Sequence, residues 1–173
     1  MQDIALHILD VGENAISAGA ARIEIVIRED AERRALHLEI IDDGRGMDWE
    51  EVRLATDPFY TSKPGKKVGL GVPLLAQAAR EAGGTFQMDS EPGRGTHIHA
   101  VFGLDHPDRK PLGDIAGTLE LMQLSHPEVE FVLTVDLPEQ DAGGSGAAGE
   151  SSAANSQQIP SSSRRLGRRG ETI

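Results

Sequence analysis

Two alternating runs, Ile23-x-Ile25-x-Ile27 and Leu36-x-Leu38-x-Ile40, flank a charged turn at 29–34 and have the pattern of a hairpin with one buried face. The second run continues without a break into Ile41-Asp42-Asp43-Gly44-Arg45-Gly46, so a strand delivers two carboxylates onto a glycine turn. Ahead of the hairpin, Ile4, Ile8, Val11, Ala15 and Ala18 recur at three- and four-residue steps. That stripe predicts an amphipathic helix over 2–18, with Gly19 as its stop. Asp48 can cap a short helix over 49–55, and a helix over 72–82 closes at Gly83-Gly84. Strands over 85–90 and 96–102 are joined by a Pro92-Gly93-Arg94-Gly95 turn, and a helix over 112–124 precedes a strand over 129–135. The expected fold is α/β (α+β), a two-layer sandwich of a mixed sheet with helices on one face.

Composition narrows the function. Of the 173 residues, 28 are acidic and 17 basic, a net charge of −11. Residues 139–173 hold Glu139, Asp141, Glu150 and Glu171 against Arg164, Arg165, Arg168 and Arg169, so the negative excess lies in 1–138. An acidic domain argues against a nucleic-acid surface, which needs clustered Lys and Arg. The chain has no cysteine, which excludes disulfides and thiol chemistry. No apolar run approaches the roughly 18 residues of a membrane span, and the N-terminus lacks signal-peptide character. A cytoplasmic protein without membrane contacts is expected. Gly, Ser, Ala and Gln dominate from about Asp141 onward, and this segment is expected to be disordered.

Four blocks carry candidate chemistry. Asp10 and Asn14 lie one helical turn apart, and an Asn oxygen suits Mg²⁺, which takes few protein ligands and keeps waters. Asp42, at a strand end, can accept from an exocyclic amine, while Gly44 and Gly46 let the backbone bend round a ligand. Residues 56–70 have two prolines, two glycines and three lysines without periodicity, so they read as a loop; Lys63, Lys66 and Lys67 can close on phosphates as point charges. Gly69-Leu70-Gly71 then opens a helix, whose first N–H groups are donors to an anion. These spacings match neither the Walker pattern nor the dinucleotide fingerprint.

In this order the blocks resemble the ATP-binding domain shared by gyrase B, the ninety-kilodalton heat-shock chaperone, histidine kinases and MutL, the GHKL superfamily. Asp10-Val-Gly-Glu-Asn14-Ala resembles its N box, and Ile41-Asp42-Asp43-Gly44-Arg45-Gly46-Met47 its G1 box. Asp57-Pro-Phe-Tyr-Thr-Ser-Lys63 resembles the kinase F box. Val68-Gly69-Leu70-Gly71 and Ser90-Glu-Pro-Gly-Arg-Gly95-Thr96 are similar to the kinase G2 region and the strands after it. The resemblance covers about 1–104, is nearest to the histidine kinase catalytic domain, and implies the Bergerat-type sandwich. It implies Asn14 as the Mg²⁺ ligand, Asp42 as the adenine reader, and Gly44, Gly46, Lys63, Gly69, Leu70 and Gly71 around the nucleotide. Thr96 would support the adenine through water, and Asp10 would take the catalytic position. Hydrolytic members have a glutamate where this chain has Asp10, whose carboxylate is one methylene shorter, so the departure argues against water activation.

The cofactors so implied are ATP and Mg²⁺, and the partner a protein, either a phosphoacceptor or a regulated factor, with a homodimer left open. Three functions compete: a regulatory kinase of histidine-kinase or anti-sigma type, a non-catalytic ATP-dependent switch, and a MutL-like hydrolase. Residues 105–138 read as a helix–strand extension and 139–173 as a low-complexity tail. His106-Pro107-Asp108-Arg109-Lys110-Pro111-Leu112 has a loose phosphoacceptor-box form, but Pro107 makes it read as a linker.

Overall fold

A computed structural model describes residues 3–57 and 70–138. The elements run α1 (Ile4–Ser17), β1 (Arg22–Asp30), β2 (Ala35–Asp42), α2 (Trp49–Ala55), α3 (Gly71–Glu81), β3 (Thr85–Glu91), β4 (Gly95–Gly103), α4 (Ile115–Ser125) and β5 (Glu130–Asp136). The five strands form one sheet in the order β3-β4-β2-β1-β5. All neighbours are antiparallel except β1 and β5, which are parallel and aligned Ile23 to Phe131. This is the mixed-sheet sandwich that the alternating runs predict.

The alternation has one physical consequence, a single dry face. Ile23, Ile25 and Ile27 on β1, Leu36, Leu38 and Ile40 on β2, and Ile98, Ala100 and Phe102 on β4 are all buried. The stripe Ile4, Ile8, Val11 and Ala15 of α1 packs into the same core, with Leu75 and Ala79 of α3 and Leu119 and Met122 of α4. Burying each of the valine, leucine, isoleucine, phenylalanine and methionine side chains stabilises by about 1.5–3 kcal/mol.

Local chemistry sets the helix ends. Asp3 accepts from Leu6 N at α1, and Asp48 and Glu51 make a reciprocal capping box on α2. The helix expected over 112–124 begins later, at Ile115. Gly113 is left-handed (φ 72°) and Asp114 accepts from Gly117 N, so the chain cannot be helical before 115. The tail expected over 139–173 lies outside the described residues.

α4 is seated on the turn of α1 that carries Asp10 and Asn14. A Cβ on Gly12 would collide with Met122 Cε, so only glycine lets the methionine lie against the α1 backbone. One turn beyond Met122, the C-cap residue His126 stands 3.6 Å from Glu13. Met122→Ala should therefore cost about 2–5 kcal/mol. In a Gly12→Ala background it should cost clearly less, because the new methyl occupies part of the cavity. Urea denaturation of the four variants checks this; additive losses would show that the two side chains do not share that space.

Candidate nucleotide site

α1 and β2 end at the same corner of the sandwich, and the turn after β2 is fastened there. Arg45 N–H donates to Ala18 O at 2.9 Å, and a Cβ on Gly44 would stand 3.3 Å from both Ala18 Cβ and its carbonyl oxygen. On the other side, Gly46 (φ 66°) lies against the backbone carbonyl of Glu91, and Gly93 N–H donates to Arg45 O at 2.6 Å. The glycine turn is held between a helix end and the β3–β4 turn. Side chains at 44 and 46 would push these apart.

The two aspartates have separate tasks. Asp43 Oδ1 accepts from Ala21 N at 2.7 Å and Arg22 N at 2.8 Å, tying the start of β1 to the end of β2. Asp42 faces a cavity of about 320 Å³. Its Oδ1 accepts from Gly44 N at 2.9 Å. Burial pushes the Asp42 carboxyl above its ordinary range, against the hydrogen bonds from the Gly44 and Thr96 backbones that favour the carboxylate.

Every layer contributes to that cavity. α1 supplies Val11, Asn14 and Ala15; the glycine turn Arg45, Gly46 and Met47; α2 Glu51 and Leu54; α3 Val72; and the sheet Met88, Thr96 and Ile98. The walls are largely apolar, with Asn14, Asp42 and Thr96 converging from a helix and two strands. Arg45 pairs with Glu51 at 3.2 Å at the rim. Glu51 also accepts from Asp48 N, so the capping box of α2 holds the partner of the rim arginine.

The structure thus brings Asn14, Asp42, Gly46 and Thr96 together, with Gly44 behind them. Asp10 is not among the lining residues. It packs against the first residue of α3, where a Cβ on Gly71 would stand 2.7 Å from Asp10 Cβ. Leu70 is half exposed just before that helix. Lys63 and Gly69, with the other lysines and aromatics of the loop, lie outside the described residues. Sequence reasoning gave no role to Arg45, Glu51 and Met88; only Glu51 had a local signal, its place three residues after Asp48. His106 belongs to a turn: it packs under Gly83, and its Nδ1 accepts from Asp108 N at 3.2 Å.

A family model described as Histidine kinase-, DNA gyrase B-, and HSP90-like ATPase matches residues 3–106. The chain belongs to this family and carries an ATPase domain of histidine kinase or MutL type. It is 27% identical over 106 residues to sporulation kinase C of Bacillus subtilis, covering 60% of this chain and 23% of the kinase. It is 46% identical over 59 residues to the DNA mismatch repair protein MutL of Rhodospirillum rubrum, 34% of this chain and 9% of that protein. Among solved structures, a mycobacterial sensor histidine kinase, MprB, aligns with a TM-score of 0.43 and 28% identity, covering 56% of this chain and 66% of that one. The chain spans less than a quarter of the length of these two curated relatives. Among the described residues, no helix is long and apolar enough to cross a membrane.

Proposed function

We propose that this chain binds ATP with Mg²⁺ in the cavity between α1, the glycine turn and β4, and acts as a histidine-kinase-like regulatory module that phosphorylates or controls a partner protein. The observation that carries the reading is the convergence of Asn14, Asp42 and Thr96 on one apolar-walled space in a chain of this family. A purine fits such walls, and Asp42 offers its amine an acceptor. The Asn14 side chain has no hydrogen-bond partner among the described residues and lines the same space. One free oxygen donor suits Mg²⁺, which completes its shell with water and phosphate oxygens. When bound, the ion neutralises triphosphate charge. The protein's part is to hold the base at Asp42 and the phosphates towards the start of α3.

Asp10 packs against Gly71 and is one methylene shorter than glutamate, and the shorter carboxylate favours transfer or binding over hydrolysis within this reading. The segments divide as 1–104 for nucleotide binding, 105–138 as an extension for partner or self contacts, and 139–173 as a tail. The test is calorimetry with Mg-ATP and Mg-GTP, followed by γ-labelled ATP with co-purifying proteins. Label on protein supports a kinase, free phosphate a hydrolase, and neither a switch. Equal affinity for ATP and GTP would remove the adenine assignment. Asn14→Ala should abolish the Mg²⁺ dependence of triphosphate binding while adenosine binding persists; an unchanged dependence in the folded variant would move the metal elsewhere.

A further inference from the structure

Behind the Asp42–Thr96 end of the cavity, one hydroxyl meets three groups. Ser90 Oγ on β3 accepts from Met47 N at 2.9 Å, donates to Gly95 O at 2.9 Å and lies 3.1 Å from Thr96 Oγ1. A serine hydroxyl has one proton and two lone pairs. The Gly95 carbonyl can only accept, so it takes the proton; the Met47 N–H can only donate, so it takes one lone pair. The lone pair left over faces Thr96, and Thr96 must donate to it. With its proton committed, Thr96 Oγ1 turns only lone pairs towards the cavity. Asp42 is paired directly across the strands from Thr96, and its carboxylate is likewise acceptor-only when ionised.

We propose that Ser90 is the positioning residue that sets base specificity, by fixing the Thr96 hydroxyl as an acceptor at the end of the cavity where Asp42 stands. An acceptor fixed there favours a purine edge that offers an amine hydrogen and disfavours one that offers a carbonyl in the same place. A freely rotating threonine would serve both. Ser90 needs no contact with the nucleotide; it acts through Thr96. The inference rests on the nucleotide reading above and adds to it the residue that decides how strictly adenine is chosen.

The test measures affinity for ATP and for inosine triphosphate, which carries a carbonyl where adenine carries the amine. Ser90→Ala should lower the ATP-to-inosine preference about fivefold, the worth of one ordinary hydrogen bond, and Ser90→Thr should restore it. A merely structural role through Met47 would lower both affinities together. In a Thr96→Val background, Ser90→Ala should leave the ratio unmoved, because the hydroxyl it orients is gone. Should Ser90→Ala not fold, Ser90→Cys keeps the volume with a poorer partner and should shift the ratio the same way. An unchanged ratio in folded Ser90→Ala or Ser90→Cys, or an equal shift with Val at 96, overturns the inference while leaving the nucleotide site standing. An unsubstituted chain that binds neither triphosphate, or both alike, overturns the site reading and the inference together.

Discussion

Gly95→Ala is expected to cost about 3 kcal/mol or more in stability and to abolish nucleotide binding, because two penalties fall on one atom. Gly95 is left-handed (φ 82°), and an added Cβ would collide with the Asp42 carbonyl and stand 2.9 Å from Asp43 Cα. Both neighbours are backbone and cannot swing aside. Since Asp42 and Thr96 are paired across β2 and β4, the shift needed to relieve the clash separates the two polar groups at the end of the cavity. Gly93 supplies the control within the same turn. It is also left-handed (φ 79°), but a Cβ there meets nothing within 4 Å. Gly93→Ala should cost only the conformational strain, about 1 kcal/mol. Thermal and urea denaturation with parallel ATP titration would check the pair, and equal losses for the two would show that close packing at Gly95 is not what demands glycine.

Asp42→Asn is expected to weaken ATP binding by about 1–3 kcal/mol while strengthening GTP binding, because the NH₂ can donate to a carbonyl in the amine's place. An asparagine has one side-chain oxygen. If it keeps the bond from Gly44 N, its NH₂ faces the adenine amine; if it flips, it faces Gly44 N donor to donor. Either way one buried donor goes unmet. The pH dependence follows from the raised Asp42 pKa. Adenine binding should be full when the carboxylate is ionised and fall as pH drops through a value above the ordinary 3.8. Stability runs the other way. A carboxyl whose folded pKa is raised favours the fold below its unfolded pKa, and that contribution is lost as pH rises through the folded value. Asp42→Asn should therefore match the unsubstituted protein in stability in strong acid and exceed it at neutral pH. Nucleotide-free melting curves across that range check the sign; a less stable variant at neutral pH would show that the carboxylate's hydrogen bonds outweigh its burial.

Much of the site was legible because its signals are short-range. Asp42-Asp43-Gly44 reads as a strand running into a glycine turn, and the spacing of Asn14 on α1 follows from helical geometry. The alternation of Leu36, Leu38 and Ile40 also puts Asp42 on the inward face; what the spacing did not reveal is the task of its neighbour. Asp43, adjacent and chemically identical, is used by the backbone of Ala21 and Arg22. Nor did one helical turn between Asp10 and Asn14 say that Asn14 would line the cavity while Asp10 meets the start of α3.

The sequence by itself determined the order and type of the nine elements among the described residues, the buried face of the sheet and the turns at Gly44, Gly83 and Pro92-Gly93. Each depends on periodicity or backbone freedom within a few residues. Tertiary structure alone decided that β5 joins β1 in parallel, that Met122 lies on Gly12, that Glu51 holds Arg45, and that Ser90 meets Met47 and Thr96 at once. Most of these contacts join residues distant in the chain, and even the short-range ones turn on side-chain direction. Local propensity says nothing about which atoms face each other; strand register and helix packing decide that.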